Sequence, residues 1–125
     1  MLNWIAVFVG GALGSGMRYG ISLVLLEKAP LGTFIANVLG SFLLALLTAW
    51  SLSSSAPHPA TRLLLTTGLC GGFTTYSTFN LETLRMLQGE HFQRGAFYLF
   101  ATLATCLLAA AAGLILGKIA FPKLS

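Results

Sequence analysis

Apolar residues fall along this chain in four long runs separated by short polar stretches. A helix that crosses a bilayer needs roughly 20 consecutive, mostly apolar residues. Residues 4–26, 31–52, 63–84 and 95–117 each meet that requirement. The first run contains one charge, Arg18, and the third is uncharged until Glu82; the second and fourth carry none. The connections at 27–30, 53–62 and 85–94 read as loops, the middle one marked by serines and by Pro57 and Pro59. Trp4 and Trp50 stand near span ends, where interfacial aromatics belong. With no linker or low-complexity tract, residues 1–125 are expected to form a single all-α domain of four transmembrane helices.

Composition sharpens that picture. Charged residues make up only 8% of the chain, against about a quarter in soluble domains, and mean hydropathy is +0.85. So few charges cannot cover a water-exposed surface, and the expected surroundings are membrane lipid. The net charge of +4 comes from scattered side chains, so the basic face that nucleic-acid binding needs is missing. Cys70 and Cys106 fall inside apolar runs and read as small core residues, not as a disulfide or metal set. Met1-Leu-Asn-Trp4 carries no basic leader, so the first run is expected to be a retained span.

Four crossings put both termini on one side. That side carries Arg62, Lys118 and Lys123, while the opposite loops carry Lys28, Arg85 and Arg94. Orientation is normally set by a Lys/Arg excess on the cytoplasmic face, and here the count is balanced. Two readings stand: a weak signal resolved by something else, or a chain that inserts both ways and pairs antiparallel. Small residues at Gly10 and Gly14, at Gly16 and Gly20, and from Ala109 to Gly113 allow close helix approach. Four short spans enclose little, so a buried polar pathway calls for a partner, most simply a second copy.

The polar residues inside the spans are few. Arg18 either marks function, or snorkels toward the loop at Glu27 or pairs with a carbonyl. Thr33, Asn37 and Ser41 recur at intervals of four and make one polar stripe, which is either glue between helices or part of a pathway. The segment 68–82 is the most informative. Gly68, Gly71 and Gly72 weaken the helix there, and Thr74, Thr75, Tyr76, Ser77, Thr78 and Phe79 follow at once. A broken helix at membrane depth is tolerated only where it faces protein or a polar pathway. Some of those hydroxyls must bond back to helix carbonyls. Tyr76 and Phe79 share a face; their ring edges carry partial positive charge and can meet an anion, though such pairs also simply pack. Glu82 reads as pairing with an Arg or capping. On the fourth run Tyr98, Thr102 and Cys106 form a line of polar groups, either a track or interhelical glue. His58 and His91 lie in loops without metal-ligand neighbours, and no nucleophile–base pair or phosphate loop occurs, so enzyme chemistry is not expected.

Over its whole length the chain resembles the Fluc, or CrcB-type, fluoride channels. The resemblance rests on Gly10-Gly-Ala-Leu-Gly14 with Arg18-Tyr19, on Gly32-Thr-Phe-Ile-Ala-Asn37-Val-Leu-Gly-Ser-Phe42, and above all on Gly68 to Glu82. It implies an antiparallel, dual-topology homodimer in a bacterial plasma membrane. The third helix of each subunit would break at its Gly-rich centre and cross its counterpart. A structural sodium ion there would be held by the backbone carbonyls of Gly71 and Thr74. Fluoride would leave the cytoplasm passively through two pores lined by Asn37, Tyr76, Ser77, Thr78, Phe79, Tyr98 and Thr102, with Arg18 beside them. This sequence departs from the family in carrying Tyr76 where a phenylalanine is usual. A dual-topology small multidrug exporter is the alternative, but it needs a membrane carboxylate for proton coupling, and the first span has Arg18 and no acid. A structural membrane subunit would explain hydrophobicity but not the hydroxyl and aromatic cluster.

Overall fold

The computed structural model describes residues 1–25, 30–89 and 92–122, and every regular element among them is helical. Helix α1 spans Leu2–Val24, α2 spans Leu31–Ser51 and α6 spans Phe92–Ala120. These three are long and apolar enough to cross a membrane. Between α2 and α6 lie α3 (Pro59–Leu63), a π-helical stretch (Leu64–Cys70), α4 (Gly71–Phe73) and α5 (Tyr76–Gln88).

Two expected loops prove shorter than their sequence suggests. Pro59 opens α3, because its missing N–H costs nothing at a first helical position, and the His58 side chain caps that end by accepting from Ala60 N at 3.2 Å. Arg62 is therefore on a helix. Likewise α5 runs on to Gln88 and α6 begins by Phe92, which makes Arg85 and Arg94 helical. Residues 27–29 of the first expected loop lie outside the described residues, as do His91 and Lys123.

The helices pack through small residues. Ala6, Ala36, Ala45, Ala49, Ala60 and Cys70 are buried, whereas Phe8, Phe97, Phe100, Leu107 and Ile119 are exposed. That inversion suits helices in lipid, where packing relies on close backbone approach and large apolar groups face outward. Along α1, Gly10 and Gly14 sit against the arm 59–73: a Cβ on Gly10 would lie 2.8 Å from Leu69 N, and one on Gly14 would lie 2.8 Å from Phe73 N. The register advances together on both elements, so α1 and this arm run parallel. Gly113 and Gly117 fit in the same way against Ala45 and Ala49, at 3.1 and 2.5 Å from a Cβ, so α6 runs parallel to α2.

Within 59–88 the helix is interrupted two residues beyond the last glycine. Gly71 is helical (φ −63°, ψ −38°), while Thr74 (φ −80°, ψ 156°) and Thr75 (φ −151°, ψ 117°) are extended. The expected break at the glycines themselves is thus displaced to the threonines. Gly68 and Gly72 provide contact instead: added Cβ atoms would meet Gly10 Cα at 2.9 Å and Gly11 O at 2.5 Å. The threonines are extended because other groups replace the lost helical bonds, which are described next.

Candidate functional site

The interruption is held from α2. Asn37 accepts from Thr75 N at 2.8 Å and donates from Nδ2 to Thr75 O at 3.0 Å. Its carboxamide imitates a peptide group and satisfies both polar atoms of one extended residue, as a membrane interior demands. The Thr75 side chain then caps α5, accepting from Thr78 N at 3.3 Å. Thr78 Oγ1 lies 3.0 Å from Thr75 Oγ1, and Ser77 Oγ lies 3.4 Å from it. Ser77 and Thr78 therefore belong to the cap of α5.

Cys70 O keeps its helical donor, Thr74 N, and the carbonyls beyond it fare differently. Cys70 O accepts from both the amide and the hydroxyl of Thr74, each at 3.0 Å. Gly72 O accepts from Arg18 Nε at 3.2 Å, with Ser15 Oγ at 3.5 Å. Arg18 thus anchors the break from the α1 side. Gly71 O would normally receive Thr75 N, four residues on, but that amide is committed to Asn37. Thr74 O would receive Thr78 N, which turns to Thr75 Oγ1. The two carbonyls expected to bind a cation are thereby deprived of their usual donors. Among the described residues no three His, Cys, Asp or Glu side chains converge, so a hard cation here would rest on backbone oxygen.

Beside the break, a groove of about 260 Å³ is lined by Asn37, Thr75, Tyr76, Phe79, Thr102 and Cys106, among others. Phe79 is 2% exposed and packs on Tyr98, with ring centroids 5.4 Å apart at 58°. Tyr76 stands 6.0 Å from Phe79 yet is 72% exposed. Thr102 is 3% exposed, and its hydroxyl is buried with no hydrogen-bond partner among the described residues. An orphaned buried hydroxyl is costly in an apolar setting, and it leaves a donor free for a ligand. Asn37 has a second amide proton that the Thr75 contact does not use. The first amides of α5, a helix of 13 residues, open near the same place and bear the positive end of its dipole. The groove so gathers hydrogen-bond donors, and among the described residues no lysine or arginine lines it.

Of the residues expected at a pathway, the fold brings Asn37, Tyr76, Phe79 and Thr102 to this groove. Arg18 stands behind the break, and Ser77 and Thr78 serve the α5 cap. Tyr98 lies one layer deeper, where sequence reasoning missed a small network. Its hydroxyl donates to Glu82 Oε2 at 2.9 Å, and Thr33 Oγ1 donates to Glu82 Oε1 at 2.9 Å. The carboxylate expected to seek an arginine is held by two neutral hydroxyls from α2 and α6. The available signal was Glu82 itself, the single acid within an apolar run.

The chain has relatives. A family model described as CrcB-like protein, Camphor Resistance (CrcB), matches residues 5–114. The fluoride-specific ion channel FluC of Anaeromyxobacter sp. (strain K) is 47% identical over 120 residues, covering 93% of this chain and 95% of that protein. Its counterpart in Ruminiclostridium cellulolyticum is 42% identical over 123 residues, with 94% of this chain and 91% of the relative covered. A FluC protein of Staphylococcus aureus (strain bovine RF122 / ET3-1) is 35% identical over 117 residues, covering 93% and 97%.

Proposed function

The chain belongs to the CrcB-like family, and we propose that it is a passive, fluoride-specific ion channel of a bacterial membrane, crossing the bilayer several times and performing no enzymatic step. The observation that carries the assignment to this groove is the buried hydroxyl of Thr102, without a partner among the described residues, on a residue that lines the groove together with Asn37 and Tyr76. Fluoride is small and firmly hydrated, and stripping a bare anion of water costs tens of kcal/mol in the Born limit. The Thr102 hydroxyl, the second Asn37 amide proton, the α5 amides and the ring edges of Phe79 and Tyr76 replace that water. None of them carries a fixed positive charge, so the ion is desolvated without being trapped. Protein reconstituted in liposomes should discharge a fluoride gradient when a potassium ionophore balances charge, and should retain chloride. Equal loss of both anions, or a strict need for a proton gradient, refutes the reading.

In this reading the segment 59–88 is a fourth crossing broken at Thr74 and Thr75. Support comes from its parallel course with α1, and from the parallel course of α2 and α6, as alternating crossings require. The working unit is an antiparallel homodimer with two pores. Each pore completes itself with the exposed Tyr76 of the other copy, and the balanced Lys/Arg count permits insertion both ways. A sodium ion at the crossing fits the donor-poor carbonyls of Gly71 and Thr74 and would join the two copies by quenching those dipoles. Ser77, Thr78 and Tyr98 hold the pathway in shape, and Arg18 secures the break. A cysteine placed near the C-terminus, with Cys70 and Cys106 removed, should be labelled from both membrane faces; labelling from one face alone contradicts dual topology.

A further inference from the structure

A second groove, of about 650 Å³, opens between the N-terminal halves of α2 and α6. One wall is a stripe of α6: Arg94, Phe97, Ala101 and Thr105, which share a helix face by their spacing. Phe34 of α2 and Met86 of α5 face it. Its surfaces are almost wholly apolar below Arg94. From Arg94 to Thr105 the helix rises about 16 Å, at about 1.5 Å per residue, or close to half of the roughly 30 Å hydrocarbon core. The groove is therefore about one leaflet deep, with the exposed residue Arg94 at one end of its lining. The lining of the groove stops near mid-span, although exposed leucines and isoleucines continue along α6 beyond it. A phospholipid chain ends there too, and guanidinium binds a phosphate in a two-toothed, charge-assisted fashion.

We infer that this groove holds one acyl chain of an anionic phospholipid, with the headgroup phosphate on Arg94. Tyr98 lies between this groove and the ion pathway, but the site does not rest on the channel reading. The test is a titration of the purified, detergent-solubilised protein with phosphatidylglycerol and with phosphatidylcholine, counting bound lipids by native mass spectrometry. Wild type should take up phosphatidylglycerol saturably and in preference to phosphatidylcholine. Arg94→Gln should lose about tenfold in phosphatidylglycerol affinity, the order expected for a lost charge-assisted bond, and should level the two lipids. Ala101→Phe should fill the groove and weaken both. Ala101→Leu gives a graded version should the larger ring disturb folding. In vesicles of phosphatidylcholine alone, Arg94→Gln should conduct fluoride like wild type. Unchanged preference in Arg94→Gln overturns the assignment, as does unchanged uptake in both Ala101 variants. Disulfide formation between Phe97→Cys side chains of two copies, in a background lacking Cys70 and Cys106, overturns it as well, by showing that protein covers the groove.

Discussion

Replacing Asn37 by aspartate separates its two tasks. The new carboxylate still accepts from Thr75 N, now 2.8 Å from Oδ1, but it cannot donate to Thr75 O, now 3.0 Å from Nδ2. The orphaned carbonyl costs about 1–3 kcal/mol. The added charge acts on the ion as well. For an anion about 4 Å away at an effective dielectric of about 20, repulsion is about 4 kcal/mol. On a conduction barrier that is about a thousandfold in rate. Asn37→Ala loses both bonds to Thr75 and the spare donor but adds no charge. If Asn37 were only a clamp, the alanine variant would be the worse of the two in stability and in flux. If Asn37 also faces the ion, aspartate should be the more stable and the less conductive. The assay pairs fluoride efflux from liposomes, read with a fluoride electrode, with thermal unfolding of the same preparations. Lowering the pH should restore part of the Asn37→Asp flux, because the neutral acid regains a donor and loses the repulsion. Wild-type flux in a well-folded Asn37→Asp protein would refute the assignment of Asn37 to the pathway.

Thr102→Val removes a buried hydroxyl that has no partner among the described residues, so thermal stability should hold or rise by up to about 1 kcal/mol while fluoride flux falls at least tenfold; a fall in stability with unchanged flux would mark the hydroxyl as structural. Phe79→Ile keeps bulk but deletes the ring that packs on Tyr98, and flux should drop well beyond any change in melting temperature. Tyr76→Phe should remain active, because that hydroxyl is exposed and makes no hydrogen bond among the described residues; an inactive variant would make the hydroxyl a pathway group. Among the described residues, a Cβ on Gly71 would meet only Thr66 O, at 4.0 Å. Gly71→Leu should therefore fold but fail to dimerise by size-exclusion chromatography, and a normal dimer would place the crossing elsewhere.

The four apolar runs were plain from residue types alone, because lipid allows few charges and a backbone that must bond to itself. So were the small-residue packing faces and the long motif from Gly68 to Glu82, on which the family rests. Tertiary structure decided where the chain breaks. Locally the glycines are the weakest helix formers, yet they stay helical, since α1 presses against them and rewards a bare backbone. The threonines extend because Asn37, 38 residues away from Thr75, supplies the bonds that the helix gives up. Sequence spacing put Tyr76 and Phe79 on one face; only packing against Tyr98 buried one ring and left its neighbour in the open. The lone acid in a span was visible, but its partners Thr33 and Tyr98 lie 49 and 16 residues away on two other helices. Local pattern fixes which segments are helical and apolar, since those preferences act within a few residues. Which polar group satisfies which is settled by helices meeting across the fold.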